Sequence, residues 1–534
     1  MVGGLVLQMP ERPAAARTEG PPNVLVILWD TVRADRMSLY GHTVPTTPRL
    51  DARAKTAVVF ENATAPAMWT LPTHAAMFTG QFTPTHGAVA SYRWLDHHHR
   101  TLAERLGAGG YDTFAFTSNL VASPMTNVLQ GFETVHTTYP RRGRDGPGRY
   151  VRQARRATRD KLLEDDASTE ISPAFAGDDR EKWPRAMHKD AAPVVHRGLA
   201  EWLDERADPT RPWFAYLNLM EAHSPRVPSA EARSRTMDPA TRALALTVDQ
   251  SLLAANAYIV GRRSYSEAEL AAIRGVYDAS LVDLDEATGA LLDDLEARGE
   301  LANTLVVLLA DHGEHLGEHR RLEHRWSLRQ PLLHVPLVVW APDRPADRVT
   351  GRVTTAGLFA TVLEAAGLPV PPTTQAPSWF ATPRDPRVFA QLLDPFVSQL
   401  EKVREVYPDV DYAPFGQTYC AAFDGDFKLL VGSSGQRWLH DLSEDPDEWL
   451  DLSTEHPARV GVLSRALATW EDRLPPYDPS RRTPRDLRGA NRQDAAEQQM
   501  LAALGYVVGE DEAAPPRLRC PTVRTTPGSR PANP

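Results

Sequence analysis

The sequence predicts an α/β fold: a large domain with a mixed, mostly parallel sheet between helices, and a small C-terminal sheet-and-helix subdomain. Three observations carry this expectation. Apolar runs of strand length, NVLVILW at 23–29, PWFAYLNL at 212–219, LVVLLA at 305–310 and VPLVVW at 335–340, are continuous rather than alternating, as strands buried on both faces require. Segments with helical spacing lie between these runs, the arrangement that makes a parallel sheet. Beyond residue 386 the runs shorten and are separated by turn residues, as in an antiparallel meander.

Taken in order, residues 1–20 read as a disordered leader, because their apolar patch has no basic residue before it and no small-residue cleavage site after it. Residues 21–380 form the large domain. Its first strand ends at Asp30, and AAMFTG reads as a helix closed by Gly80. TLAERLGAGGY at 101–111 is an amphipathic helix stopped by Gly109 and Gly110. Residues 141–192 are a charged insertion, basic then acidic, without apolar periodicity for a core. From Glu267 to Arg298, Leu281, Leu284, Leu291, Leu292 and Leu295 recur near helical spacing, and Gly299 ends the helix. Residues 371–386 read as a linker. In 385–475, RVFAQLL, YCAAFDGDFKLLVGSS and QRWLHDL give short strands around a DGD turn. Residues 476–534 form an extended tail with one helical stretch, AAEQQMLAALGYV, and a disordered end.

Composition bounds the function. The chain has 534 residues, 42% hydrophobic and 24% charged, with net charge −10. That suits a soluble globular protein with a sizeable core and disfavours a nucleic-acid partner. No run approaches the ~18 apolar residues of a membrane helix. Two cysteines, Cys420 and Cys520, allow neither a disulfide framework nor a cysteine metal cluster. The expected compartment is cytoplasmic, and the sequence leaves the oligomeric state open.

In parallel sheets, ligands bind past the carboxyl ends of the strands. Asp30, His223, Asp311 and His312 all fall just past such ends. Two carboxylates and an imidazole there can hold a divalent cation. In TAPAMWTLPTHAAMFTGQFTPTHG at 64–87, Thr70 opens a helix, where the free backbone N–H groups and the macrodipole favour an anionic oxygen. A threonine hydroxyl is a weak nucleophile until a metal or base lowers its pKa, and a cation held by Asp30, Asp311 and His312 would do so. HLGEH at 315–319 fits a zinc-peptidase pattern, but Gly313 and Gly317 argue against the helix that pattern needs. His97, His98 and His99 read as surface loop residues, and Trp69 and Trp94 as core or pocket aromatics.

These motifs together resemble the sulfatase-like branch of the alkaline phosphatase superfamily, over most of residues 23–475. NVLVILWDTVRADRMSLYGH is similar to that family's first strand and metal-binding Asp, LVVLLADHGEHLGEH to its second metal motif, and MEAHSPRVP to its substrate-contacting His segment. FDGDFKLLVG and RWLHDLSEDPDEWLDL resemble its C-terminal subdomain. The departures are as informative. The family's C/S-x-P-x-R motif, whose first residue becomes formylglycine, aligns with Thr70-Leu71-Pro72-Thr73-His74. Threonine cannot make that conversion, and His74 replaces the arginine. Thr31 takes the place of a second Asp ligand, and TSNL at 117–120 stands where a Lys-x-His signature is expected.

The resemblance implies a metal-dependent hydrolase acting on a small phosphodiester, phosphonate or sulfate ester. Thr70 would be nucleophile and metal ligand, with Asp30, Asp311 and His312 completing the site for one divalent ion, Mn, Zn, Ca or Mg. His324, in RLEHRW, falls where the family places the group that protonates the leaving group. His223 and His74 would bind the anionic group, and Asn119 the substrate oxygens. Two alternatives stand beside this: a transferase passing the phosphoryl or sulfuryl group to an acceptor, and a non-catalytic relative that binds an anionic ligand.

Overall fold

The computed structural model describes residues 20–139, 148–163, 191–382, 385–490 and 518–521. In chain order the strands are β1 (Asn23–Trp29), β2 (Val58–Phe60), β3 (Ala63–Thr64), β4 (Asp112–Thr117), β5 (Thr134–Thr137), β6 (Trp213–Leu219), β7 (Thr304–Leu309), β8 (His315–Leu316), β9 (Leu322–Glu323), β10 (His334–Val335), β11 (Leu337–Trp340), β12 (Asp347–Val349), β13 (Val353–Thr354), β14 (Arg387–Leu392), β15 (Tyr419–Asp424), β16 (Phe427–Gly432) and β17 (Arg437–Asp441). The large sheet runs β12-β2-β11-β7-β1-β6-β4-β5. Pairing is parallel from β7 to β5, and β11 alone runs antiparallel to its two neighbours. Each continuous apolar run of the sequence is therefore a strand covered on both faces. Val24 through Trp29 and Val307 through Leu309 have no exposed surface, and burying such a side chain contributes about 1.5–3 kcal/mol.

Register fixes what emerges at the carboxyl edge. Leu28 lies opposite Asn218 on one side and Leu309 on the other. Asp30, Glu221 and Asp311 consequently leave the sheet at the same end, with Asn119 past β4 beside them. The helix Glu267–Ala297 backs this sheet; its Thr288 accepts a 3.0 Å hydrogen bond from Trp29 Nε1. It starts in a capping box, Ser266 with Glu269, and ends before Gly299 at φ 77°, a left-handed turn that glycine makes at no steric cost.

The C-terminal sheet, β14-β15-β16-β17, is antiparallel throughout, with the helix Pro457–Asp472 packed against it. The mixed α/β architecture and the small sheet match the fold class expected from the sequence. Among the described residues no helix is long and apolar enough to cross a membrane.

Several local expectations are corrected. Residues 149–163, within the charged insertion, form a helix whose Tyr150, Val151, Ala154 and Thr158 are buried. Tyr150 packs on Phe116 of β4, ring centroids 5.1 Å apart, so one narrow apolar face is enough to dock the helix on the sheet. Within the 371–386 stretch the described residues around Trp379 are anchored rather than free: Trp379 is 1% exposed and donates from Nε1 to the Thr354 carbonyl. His99 is buried instead of lying on the surface, and Trp69 and Trp94 are core. Cys420 of β15 is disulfide-bonded to Cys520, so the lone pair of cysteines does close a bridge across 100 residues. Residues 1–19 of the expected 1–20 leader, most of the insertion and the AAEQQMLAALGYV helix lie outside the described residues.

Candidate active site

Thr70 is the first residue of the helix Thr70–Thr79, which Gly80 closes in the left-handed conformation, φ 68°. Pro72 sits in the first turn, where its missing N–H costs no helical hydrogen bond. The whole helix is buried beneath the carboxyl edge of the sheet, and this brings the Thr70 hydroxyl to the strand ends. Thr70 Oγ1 lies 3.3 Å from His312 Nε2 and 3.4 Å from Asn119 Nδ2. His312 Nε2 is also 3.3 Å from Asp311 Oδ2.

Asp30, Asp311 and His312 offer ligand atoms all within 4.8 Å of one another, and none of the three is exposed. Asp30 Oδ2 accepts from Asn119 Nδ2 at 2.7 Å and from Asn218 Nδ2 at 3.1 Å, while Asp311 Oδ1 accepts from the backbone N–H groups of His312 and Thr31. The other oxygens, Asp30 Oδ1 and Asp311 Oδ2, are buried without a hydrogen-bond partner. Burial, and then the Asp30 charge, push the Asp311 carboxyl well above the usual carboxylate range. Two buried carboxylates facing each other with orphaned oxygens are a donor set that fits a divalent cation. Thr31 is held at φ 61°, a strained backbone for a β-branched residue, and its hydroxyl donates to the Asp30 carbonyl.

Beside this cluster lies a histidine group. The His324 ring is 4.6 Å from His312 and 5.1 Å from His223. His324 Nδ1 faces Glu314 Oε1 at 3.2 Å, and Glu314 Oε2 accepts from Arg226 Nη2 at 2.8 Å. Burial lifts Glu314 to about 6 against the pull of Arg226. Glu314, Glu323 and His324 also lie within ligand distance of one another. Arg226 and Arg325 already face those carboxylates, so this second group is an ion-pair network rather than a cation cage.

Two expected substrate contacts occupy different positions. His74 is completely buried: its Nδ1 donates to the Thr70 carbonyl at 2.8 Å, and its Nε2 accepts from the Tyr216 hydroxyl at 2.6 Å. Both ring nitrogens are spent on protein groups, and burial lowers its pKa to about 4. It braces the first turn of the Thr70–Thr79 helix from behind, so neither nitrogen is open to an anionic group. Asn119 is equally buried; its Oδ1 accepts from the Val121 N–H at 2.7 Å, and its amide points at Asp30 and Thr70. It orients a carboxylate and a hydroxyl.

The sequence reading missed Tyr216, Asn218, Glu314 and Arg226. Asn218 carried a signal, a polar residue inside the apolar run of β6. Gly313 carried another: a Cβ there would come within 2.0 Å of the Pro331 carbonyl oxygen, so the turn that presents His312 tolerates no side chain.

The sulfatase family model matches residues 22–368. The chain belongs to the sulfatase family. Among curated sulfatase relatives, Arylsulfatase K of Xenopus laevis is 28% identical over 218 residues, 39% of this chain and 39% of that protein. The match thus spans about two fifths of that relative's length. An arylsulfatase of Clostridium perfringens (strain 13 / Type A) is 22% identical over 476 residues, 84% of this chain and 93% of that one. Among solved structures, the phosphonate monoester hydrolase of Agrobacterium radiobacter aligns with a TM-score of 0.62 at 20% identity, over 85% of this chain and 96% of its own. A protein solved with its substrate D-glucosamine-2-N,6-O-disulfate aligns with a TM-score of 0.62 at 17% identity, over 87% and 100%. These neighbours share the fold of this chain, the α/β architecture that the sequence motifs led one to expect.

Proposed function

We propose that this sulfatase-family protein hydrolyses a small anionic ester, a phosphodiester, phosphonate or sulfate, with Thr70 as nucleophile. One observation carries the reading: Thr70 Oγ1 stands at a helix N-terminus, 3.3 Å from His312 Nε2 and beside two converging buried carboxylates. Asp30, Asp311, His312 and Thr70 would hold one divalent cation, Mn, Zn, Ca or Mg, which supplies charge neutralisation and a more acidic Thr70 hydroxyl when bound.

The chain's own residues perform the remaining tasks. Asn119 and Asn218 fix Asp30, and His74 with Tyr216 fixes the first turn that carries Thr70. The bond from Thr70 Oγ to phosphorus or sulfur forms as the hydroxyl proton passes to solvent and the bond to the leaving oxygen breaks, and His324 delivers a proton to that oxygen. His223, beside His324, binds a non-bridging oxygen. Water then opens the phospho- or sulfothreonine and returns the hydroxyl. Burial, and then the neighbouring His312, push His324 well below the ordinary imidazole value. It is therefore neutral without ligand, and an anionic ester bound beside it raises its pKa again. The Cys420–Cys520 bond is the chemistry of an oxidising compartment, and on that ground we propose such a compartment in place of the cytoplasm.

The test is a screen of aryl sulfate, phosphate monoester, phosphodiester and phosphonate monoester substrates with each metal, on the wild type, Thr70→Ala and Thr70→Ser. Phosphonate or phosphodiester turnover is expected to exceed aryl sulfate turnover. Thr70→Ala should lose on the order of 10⁶-fold, the scale of removing a nucleophile, and Thr70→Ser should retain part. Unchanged activity in Thr70→Ala removes Thr70 from the mechanism. Product appearing only with an added alcohol acceptor would make the protein a transferase, and no turnover with no bound metal a binding protein.

A further inference from the structure

At the far end of the nucleophile helix, where the chain leaves through Gly80 and Gln81, two cavities of about 400 Å3 and about 200 Å3 lie between the large domain and the C-terminal region. Thr373, Gln375 and Pro475 line both, so the two adjoin as one groove. Nine helical steps of 1.5 Å place its Thr79 wall about 14 Å from Thr70, outside the catalytic cluster.

The groove is cationic in a chain of net charge −10. Arg352, Arg387 and Arg473 line the larger cavity, and Arg100, Arg105 and Arg481 the smaller, against Asp385 and Asp478. Asp385 is paired with Arg387 and Arg100 with Glu104, each at 2.9 Å. Arg105, Arg473 and Arg481 show no ion pair of this kind among the described residues. Buried donors are left over as well. Arg352 is 7% exposed, and neither Arg352 Nε nor Arg105 Nε has a hydrogen-bond partner. A buried polar group without a partner destabilises the fold, and an arriving oxyanion supplies that partner.

We propose that this groove binds an oligosaccharide bearing sulfate or phosphate groups, at a site separate from the catalytic centre. Guanidinium forks match tetrahedral oxyanions, and Thr373 and Thr374 supply hydroxyl groups for sugar hydroxyls, that of Thr374 being buried without a hydrogen-bond partner. The lining disfavours a nucleic acid, which needs open aromatic faces for base stacking. Trp470 is already stacked on Phe389, centroids 4.4 Å apart at 14°, with Phe82 edge-on at 4.9 Å.

The experiment is calorimetric titration of the full chain with a sulfated hexasaccharide, a phosphorylated hexasaccharide, the uncharged hexasaccharide, and a single-stranded DNA of equal charge. At least one charged glycan should bind, the tighter one naming the oxyanion, and the uncharged glycan should bind at least tenfold more weakly. The triple variant Arg105→Gln/Arg473→Gln/Arg481→Gln should lose at least tenfold in affinity while its melting temperature and small-ester turnover stay unchanged. If that variant does not fold, the exposed single change Arg473→Glu reads the same loss. Wild-type affinity in the variant, no binding of either charged glycan, or DNA binding as tight as the glycan overturns the proposal.

Discussion

Lys428→Met tests how the small sheet holds the catalytic edge in place. Lys428 of β16 and Glu448 are both fully buried, with Nζ 2.6 Å from Glu448 Oε1. The same ammonium donates to the Leu328 carbonyl at 2.5 Å, and Glu448 Oε2 accepts from the Gln330 N–H at 2.6 Å. The pair therefore clamps residues 328–330, just past His324, to the C-terminal sheet. Burial pulls Lys428 down to about 8, against the attraction of Glu448. Removing one partner strands a buried charge, which costs about 3–5 kcal/mol. A chain of this length unfolds with an entropy of about 1 kcal/mol/K, so the melting temperature should fall by about 3–5 °C. Activity should fall further than stability alone explains. Glu323 and Trp326, on either side of His324, sit at φ 66° and 51°, and such backbones persist only where their surroundings fix them. Lys428→Met/Glu448→Gln removes both charges and should recover at least half of the lost stability. Differential scanning fluorimetry and ester turnover on the three proteins decide the matter. A drop below 1 °C in the single variant, or a double variant no better than the single, refutes the reasoning.

Three other outcomes are expected. Chelation should lower the melting temperature, since a ligand present at a hundred times its Kd stabilises by about 2.7 kcal/mol; Asp311→Asn, which relieves repulsion with Asp30, should raise the melting temperature of the chelated protein while abolishing turnover. Asp285, raised to about 6 mainly by burial, contributes stability that is present below its unfolded pKa near 3.8 and lost as pH rises through 6. The total is about 3 kcal/mol, so Asp285→Asn should gain on the wild type between pH 4 and pH 7 in urea titrations, and a flat difference would count against it. Cys420→Ser opens a bridge spanning 100 residues and should destabilise by up to about 4.7 kcal/mol on the chain-entropy account. Reducing agent should reproduce the loss in wild type and add nothing to the variant.

The central strands, and the polar residues just past their carboxyl ends, were legible in the order of the amino acids. Continuous apolar runs of this length suit doubly covered strands, and parallel strands present their next residues at one edge. Asp30, Asp311 and His312 could therefore be grouped from order alone, and Thr70 placed at the head of its helix. The contacts that no spacing encodes were settled only in three dimensions. His74 turned inward because Tyr216, 142 residues away, offers its hydroxyl from a neighbouring strand. Asn119 meets Asp30 because β4 lies two strands from β1, and Glu314 reaches Arg226 across the same edge. Cys420 and Cys520 join because a β-strand and a distant tail residue converge on one face. Periodicity reports which residues are buried; the partner of each buried polar group is set by strand order and register, which emerge only when the chain has folded.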